Sequence, residues 1–395
     1  MENIVSDIFA ARQDDTSNYR DPRLGANPTN IKVVGVGGGG GNAVNRMILA
    51  GLSGVEYWLM NTDLQVLSLA KTDKRVQLGA TSTKGLGAGG DPTVGEKAAE
   101  EAQQEITQAL EGADMVFITA GMGGGTGTGA APVVAKIAKQ LGILTIAVVT
   151  KPFAFEGPKR MKHANAGLEK LKDSVDAVIV VPNDKLLQVT GREVGFEEAF
   201  VIADEVLIRG VTGITDVITI PGIINVDFAD IKTVMQGSGT ALMGIGKASG
   251  EGRAVKAAQT AINSQLLESS INGASGVIVN ITGGPDMGIH EISDAASIIH
   301  DAVKDDATVI IGTAVNDSIQ GEIQITVIAT GIEMKNNSTL SMFGSSSLPT
   351  PAGSNDKLPQ LNTSDFFSGA FNTKSKSVLS NNNFTNIEIP DFLQR

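Results

Sequence analysis

The sequence of 395 residues contains no cysteine. Disulfide bonds, thiolate zinc sites and cysteine nucleophiles are therefore excluded, and the absence is compatible with a reducing cytoplasm. Histidine is also scarce: only His163, His290 and His300 occur, and none stands at metal-ligand spacing from another. No apolar run approaches the roughly 20 residues of a membrane span, so we expect no direct insertion into a membrane.

Basic residues are in the minority, with 31 Lys and Arg against 43 Asp and Glu and a net charge of −12. This balance argues against binding nucleic acid, or an anionic membrane, through a broad basic face. Residues 1–30 are polar and contain acidic residues throughout, unlike a signal or transit peptide, and we predict a disordered N-terminal extension. The chain has 42% hydrophobic residues, a globular composition, and is long enough for two domains.

Strand and helix patterns alternate from Ile31 onward, which predicts the α/β class with a parallel, Rossmann-like sheet. We assign residues 31–195 to a ligand-binding domain, because ligand loops gather at the carboxyl ends of parallel strands. Apolar residues at helical spacing predict a long helix from Phe196 to about Ile214, and we assign 196–220 to a core helix that joins two domains. The predicted strands are Ile31–Val36, Val55–Met60, Met115–Thr119, Leu144–Thr150 and Ala177–Val181, and the predicted helices are Asn42–Ala50, Asp91–Glu111 and Ala130–Gln140.

Residues 221–333 are predicted to form a smaller α+β domain with mixed or antiparallel strands. From residue 334 to 385 the composition shifts to Asn, Ser, Thr, Pro and Gly, which predicts a disordered linker. The linker leads to an apolar cluster in residues 386–395, for which we expect a binding partner. The predicted helices and strands of the smaller domain are Asp227–Gly237, Gly252–Leu267, Gly276–Thr282, His290–Val303, Thr308–Thr313 and Gln324–Thr330.

Three glycine-rich segments are the chemically informative feature: Gly35–Asn42, Gly85–Gly90 and Gly121–Gly129. Backbone N–H groups at such loops and at helix N-termini bind anions, and three loops on one rim suit a triphosphate better than a pyrophosphate. No lysine ends any of them, so the general P-loop pattern is absent. The first segment also satisfies the dinucleotide fingerprint, with Glu56 about 20 residues on, which leaves an NAD-dependent Rossmann enzyme as an alternative.

Three further sets of residues have both a structural and a functional interpretation. Glu156 and Arg160 are four residues apart, which by itself favours a surface ion pair. Phe200 and Asp204 share one helix face, and an aromatic ring with a carboxylate can cover guanine and accept its N1 and N2 hydrogens. The acids of the segment from Asn225 to Asp230 stand where a helix cap is expected.

The segment GGGTGTG, Gly123 to Gly129, resembles the signature of the tubulin superfamily, and with Pro182-Asn183-Asp184 and the segment Asn225–Asp230 the chain resembles the FtsZ family of bacterial cell-division GTPases. The resemblance implies a tubulin-like fold, binding of GTP or GDP with Mg²⁺ on the phosphates, and head-to-tail self-assembly into filaments of the division ring. It also implies a cytoplasmic location at the division site, on the inner face of the membrane, through membrane-tethered adaptors that bind the C-terminal peptide.

The resemblance assigns roles to residues. It implies that Asn225, Asp227 and Asp230 complete the active site of the next subunit, with the two acids orienting the attacking water. Pro158 replaces a basic residue common in the family, which weakens the local positive charge. A tubulin-like polymer with another role, such as plasmid segregation, is a further alternative. The nucleotide-binding residues that it implies are Gly38, Gly39, Gly40, Gly41, Asn42, Asn61, Ala88, Gly89, Gly90, Gly125, Thr126, Gly127, Glu156, Arg160, Asn183, Phe200 and Asp204.

Overall fold

The computed structural model describes residues 29–189, 194–220, 224, 226–267, 269–316 and 319–332, and these form an α/β fold around a ten-stranded sheet. Residue Asn225, residues 1–28 of the predicted N-terminal extension, and the predicted linker and C-terminal peptide lie outside the described residues. The strand order is β3-β2-β1-β4-β5-β6-β7-β10-β8-β9. Within it only β10 runs antiparallel to its neighbours, β7 and β8.

The first part of the chain, here called the parallel half, contains β1 to β6 and ends in the longest helix, α8. Its elements are β1 Ile31–Val36, α1 Gly37–Leu49, β2 Glu56–Asn61, α2 Leu64–Ser68, β3 Arg75–Gln77, α3 Pro92–Glu101, α4 Gln103–Leu110, β4 Met115–Gly121, α5 Thr126–Gln140, β5 Leu144–Lys151, α6 Pro158–Lys172, β6 Ala177–Pro182, α7 Asn183–Val189 and α8 Phe196–Thr219.

The second part, here called the mixed half, carries the strands of both directions, as the sequence predicted. Its elements are α9 Phe228–Met235, β7 Gly239–Ser249, α10 Arg253–Ile262, β8 Gly276–Gly283, α11 Ile289–Asp301, β9 Thr308–Val315 and β10 Glu322–Thr330.

Alternate residues of the parallel strands enter two apolar cores, one on each face of the sheet. Val34 and Ile118 are buried on the face that packs against α3 to α6. Val33 and Phe117 are buried on the opposite face, together with residues of α1 and α8. Both faces of the central strands β1, β4 and β5 are covered, so these strands are almost continuously apolar, which is the pattern that made them predictable. Helix α8 packs on β5 and also on β8, β9 and β10, so it contacts both halves.

The glycine run was predicted as a loop, but the structure places it inside a helix. Helix α1 begins at Gly37 and not at Asn42, so the glycines of the first segment from Gly37 to Gly41 form its first turns, with Gly39 and Gly40 close to the backbone of β4. A Cβ atom added to Gly40 would lie 2.1 Å from the carbonyl oxygen of Thr119 on β4. A larger residue at Gly40 would push the helix off the sheet, so packing requires glycine at this position.

Two other predictions about the elements were wrong. The single helix predicted for Asp91–Glu111 is broken into α3 and α4 at Ala102, whose φ of −94° and ψ of 23° are not helical. Strand β7 was missed because its glycines hide the strand pattern. Cβ atoms at Gly244 and Gly246 would lie 2.1 and 1.9 Å from carbonyl oxygens of α10, so these glycines allow α10 to pack directly on the strand backbone.

Candidate nucleotide site

The three glycine segments converge at the carboxyl ends of β1, β2 and β4. A Cβ atom on Gly37 would lie 2.7 Å from the backbone nitrogen of Gly127, and one on Gly39 would lie 3.2 Å from Cα of Gly121. The third segment joins them, since a Cβ atom on Gly125 would lie 2.8 Å from Cβ of Ala88. These separations leave no room for side chains between the loops, so the backbones themselves line the site.

Two helices begin at this point with their first N–H groups uncapped. Val36 precedes α1 and Gly125 precedes α5, and neither makes a side-chain cap hydrogen bond. The start of a helix carries a partial positive charge and free donors, which suits a phosphate group. Both helices start directly after a central parallel strand, β1 for α1 and β4 for α5 through a short loop.

The predicted phosphate residues divide by exposure. Gly38, Gly39 and Asn42 on α1 are exposed, as are Gly89 and Gly90 in the third segment, both with positive φ. A Cβ atom on Gly38, Gly89 or Gly90 would meet nothing within 4 Å, so these glycines face open space. The remaining members are buried or half-buried: Gly40, Gly41, Ala88, Gly125, Thr126 and Gly127.

Hydroxyl and amide groups fix the loops relative to one another. The hydroxyls of Thr62 and Thr126 are hydrogen-bonded at 2.7 Å, which ties the end of β2 to the start of α5. Asn61 is buried, and its Oδ1 accepts the backbone N–H of Asp63 at 3.2 Å. Thr128 Oγ1 accepts the N–H of Gly123 at 2.8 Å and closes the loop before α5. Hydrogen bonds within and between the segments at the strand ends therefore hold these loops in place.

The residues predicted to contact the base lie on α7 and α8, which pack against each other. Asn183 at the start of α7 is buried, and no described residue hydrogen-bonds its Oδ1. A buried amide oxygen without a partner is costly, and a ligand donor would satisfy it. Phe200 lies in an aromatic cluster with Phe153 and Phe196, with ring centroids 5.3 and 5.2 Å from its own.

Asp204 is nearly buried on α8 and binds Arg46 of α1, with Nε of the arginine 2.9 Å from Oδ2. Burial raises the pKa of Asp204 to about 6, and the hydrogen bond and charge of Arg46 oppose that rise. The carboxyl group is therefore mostly ionised at neutral pH. The sequence did not point to Arg46, because this residue and Asp204 are 158 positions apart and no spacing in the sequence predicts their contact.

Glu156 and Arg160 form the ion pair that their spacing predicts. Glu156 also accepts the backbone N–H of Phe153 through Oε1 at 3.0 Å. The carbonyl of Arg160 lies 2.9 Å from where a Cβ atom of Gly123 would stand, so the arginine borders the loop before α5. The two residues thus form the surface ion pair, and the arginine also lies beside one of the glycine segments.

The predicted catalytic acids lie on another part of the fold. Asp227 caps α9, and its Oδ1 accepts the backbone N–H of Asp230 at 2.9 Å, as the structural interpretation expected. The side chains of Asp227 and Asp230 are exposed. Helix α9 packs on β8 and β9. Strands β8 and β9 are five and six strands from β4 in the sheet, roughly 24 and 29 Å at about 4.8 Å per strand.

Comparisons with known proteins agree with this geometry. Residues 30–191 match the GTPase-domain model of the Tubulin/FtsZ family, and residues 239–333 match the C-terminal domain model of the FtsZ family. An FtsZ dimer from M. jannaschii, described as empty, is 40% identical, with a TM-score of 0.75 over 84% of this chain and 93% of that one. The chain belongs to the FtsZ family. A mutant FtsZ of M. jannaschii is 43% identical over 78% of this chain and 93% of that chain, also with a TM-score of 0.75.

The family match makes this protein a tubulin-like GTPase, as predicted, and favours GTP or GDP over NAD as its nucleotide. The more distant CetZ2 of Haloferax volcanii, described as a protofilament with bound GTPγS, is 23% identical with a TM-score of 0.64, over 77% of this chain and 94% of that one, and shares the fold. In the part of this FtsZ-family chain that the structure describes, no helix is long and apolar enough to cross a membrane.

Proposed function

We propose that this protein binds GTP at the converging glycine segments, polymerises head to tail, and hydrolyses GTP where two subunits meet, forming filaments of the division ring. The observation that carries the proposal is the separation within one chain between the glycine segments, at β1, β2 and β4, and α9, which packs on strands five and six positions from β4, roughly 24–29 Å along the sheet. A subunit whose phosphate site and acids are on different parts of the fold needs a second copy to join them.

The triphosphate is bound through backbone groups. The exposed glycines Gly38, Gly39, Gly89 and Gly90 let the chain approach phosphate oxygens closely, and the uncapped starts of α1 and α5 supply donors. The described residues contain no group of three or more His, Asp or Glu side chains placed to hold a metal ion. Mg²⁺ in this proposal is held mainly by phosphate oxygens and water.

Guanine is recognised by Asn183, Asp204 and Phe200. The unpartnered Oδ1 of Asn183 and the carboxylate of Asp204 are acceptors, which match the N–H groups of guanine and not the bare N1 of adenine. The ring of Phe200 covers the base. Glu156 and Arg160, beside the loop before α5, contact the ribose and phosphates.

Catalysis in the filament follows from the same arrangement. Asp227 and Asp230 of one subunit meet the γ-phosphate of the next and orient the attacking water, with Asn225 assisting. Because the two contact surfaces differ, the contact is heterologous and propagates into an open filament. The FtsZ dimer of M. jannaschii supports self-association of this kind of chain. The C-terminal peptide 386–395 binds membrane-tethered adaptors at the division site.

Nucleotide selectivity tests the proposal. Purified protein should bind GTP much more tightly than ATP, and light scattering should rise with GTP but not with GDP or NAD. Asp204→Asn should narrow the preference for GTP, because the amide presents a donor to guanine where the carboxylate presents an acceptor. Glu205→Gln, the neighbouring exposed acid on α8, is the control that should leave the preference unchanged. Equal affinity for the two nucleotides would refute the assignment of the base site.

A further inference from the structure

The contact between Arg46 and Asp204 connects the glycine-bearing helix to the base-recognising helix. Arg46 belongs to α1, whose first turns contain Gly38 to Gly41, and Asp204 belongs to α8. The arginine donates from Nε to Oδ2 only, at 2.9 Å. No described residue donates to Oδ1 of Asp204. One carboxylate oxygen is therefore anchored while the other remains free to accept a ligand donor.

The ionisation of this carboxylate matters for the base. A carboxylate offers acceptors to both guanine N–H groups, whereas a protonated carboxyl offers one acceptor and adds a donor, which no longer matches guanine. Burial raises the pKa of Asp204 to about 6, close to neutral pH, and Arg46 is the group that lowers it. Helix α8 packs on α1, α7, β5, β8, β9 and β10, and of the described charged groups on these elements Arg46 is the one that acts on this pKa.

We infer that Arg46 is a positioning residue that sets guanine selectivity through Asp204, by holding Oδ2 in place and keeping the carboxylate in its accepting form. The inference rests on the proposed recognition of guanine by Asp204. Arg46 does not contact the base in this role. Its side chain is 42% exposed, so it can be replaced with little loss of buried packing, unlike the nearly buried Asp204.

The experiment measures dissociation constants for GTP and ATP between pH 5.5 and 8.5 with the full chain. Arg46→Met removes the charge and the donor, Arg46→Gln keeps a donor without the charge, and Arg46→Lys keeps the charge. Arg209→Met is the matched control, because Arg209 is a half-buried arginine of α8 that binds Gln324 at 2.6 Å in the mixed half. Melting curves by circular dichroism verify that each variant is folded.

In the unaltered protein, affinity for GTP should fall as the pH drops below about 6, as Asp204 takes up its proton. In Arg46→Met the midpoint should move to higher pH, so that GTP binds roughly tenfold more weakly at pH 7 but within about twofold of normal at pH 8.5. Arg46→Gln should shift the midpoint in the same direction and Arg46→Lys should restore most of the affinity. ATP binding and Arg209→Met should be unchanged.

Two outcomes would overturn the role of Arg46. The first is a pH midpoint identical to that of the unaltered protein in both Arg46→Met and Arg46→Gln. The second is an equal loss of GTP and ATP affinity at every pH, which indicates a purely structural role. Asp204→Asn separates this inference from the proposed function. If Asp204→Asn keeps the full preference for GTP, the assignment of the base site is wrong. If Asp204→Asn loses that preference while the Arg46 variants keep the normal pH midpoint, only the role of Arg46 is refuted.

Discussion

Arg253 binds the carboxylate of Glu291 through two hydrogen bonds, of 2.7 Å from Nε and 2.9 Å from one terminal nitrogen. A third, of 2.6 Å, joins the other terminal nitrogen to Asp286. The arginine begins α10 and the glutamate stands in the first turn of α11, so the guanidinium joins the starts of two helices of the mixed half. The Arg253 bond is the main reason that the pKa of Glu291 is lowered.

Arg253→Met should therefore destabilise the mixed half without weakening GTP binding. The substitution leaves Glu291 without its bidentate partner. We expect the free energy of unfolding, measured by urea titration, to fall by roughly 1–3 kcal/mol. Lys256→Met on the same helix is the control, because Lys256 is more exposed and binds only a backbone carbonyl. Equal effects of the two substitutions would show that the Arg253 bonds contribute nothing specific.

The glycines of α1 should differ sharply in what an added methyl group does. Gly40→Ala would place Cβ 2.1 Å from the Thr119 oxygen, so α1 must shift, and we expect a loss of at least about 2 kcal/mol of stability. Gly38→Ala meets nothing within 4 Å, so stability should change by less than about 0.5 kcal/mol while GTP affinity falls. Thermal melting and GTP titration of the two variants measure these effects. Normal GTP binding by Gly38→Ala would contradict the assignment of Gly38 to the phosphate site.

Asp216 on α8 should lower the stability of the protein at neutral pH. Burial raises its pKa to about 7 from the usual 3.8. The folded state therefore holds a proton that the unfolded state has released, and this contribution to stability falls as the pH rises from about 4 to 7. Asp216→Asn removes the cost of ionising the group, so at pH 8 the variant should be roughly 1–3 kcal/mol more stable.

At pH 4 that advantage of Asp216→Asn should disappear. Urea titrations at the two pH values measure it, with Glu205→Gln as the exposed-acid control on the same helix. The pKa of the Tyr57 phenol offers a second readout. Burial raises it to about 12, and the charge of Asp216 adds to the rise, so it should fall in Asp216→Asn. A stability difference that is the same at pH 4 and pH 8 would contradict ionisation as its cause.

Hydrolysis should be restored by mixing two inactive variants. Asp230→Ala binds GTP but lacks a catalytic acid, and Gly38→Ala keeps the acids but binds GTP weakly. Asp230 is preferred to Asp227 for this test, because Asp227 also caps α9. At mixed contacts the acids of one variant meet the GTP of the other, so phosphate release should exceed the sum of the two. As a control, the variant that carries both Gly38→Ala and Asp230→Ala should give no recovery when it replaces Gly38→Ala in the mixture. Turnover per subunit that does not depend on protein concentration would argue against catalysis between subunits.

Deleting residues 386–395 should separate assembly from recruitment. Apolar anchors on a tether gain binding from high local concentration near a partner, without changing the folded domains. GTP hydrolysis and melting temperature should stay the same, while co-sedimentation with adaptor-coated vesicles is lost. A chain with the same residues in scrambled order is the control and should behave like the deletion. A lower melting temperature with normal recruitment would show instead that the peptide stabilises the folded part.

From the sequence alone, five of the six strands of the parallel half were predictable, all except the three-residue β3. The glycine segments likewise predicted a phosphate site. A strand buried on both faces is a continuous apolar run, and a loop whose backbone binds phosphate is rich in glycine. Both features therefore appear as local patterns in the sequence. The core helix and the cap formed by Asp227 were equally local. Strand β7 was not, because Gly244 and Gly246 serve a neighbouring helix rather than the strand itself.

Tertiary structure alone decided which residues act together. The bond of Arg46 to Asp204 and that of Thr62 to Thr126 each join segments distant in the chain. Only the packing of α1 on α8, and the meeting of the end of β2 with the start of α5, brings them within 3 Å. The same holds for the raised pKa of Asp204, which follows from burial in three dimensions. Residue types fix what chemistry is available, whereas distance and desolvation, which depend on the whole fold, fix how strongly each group acts.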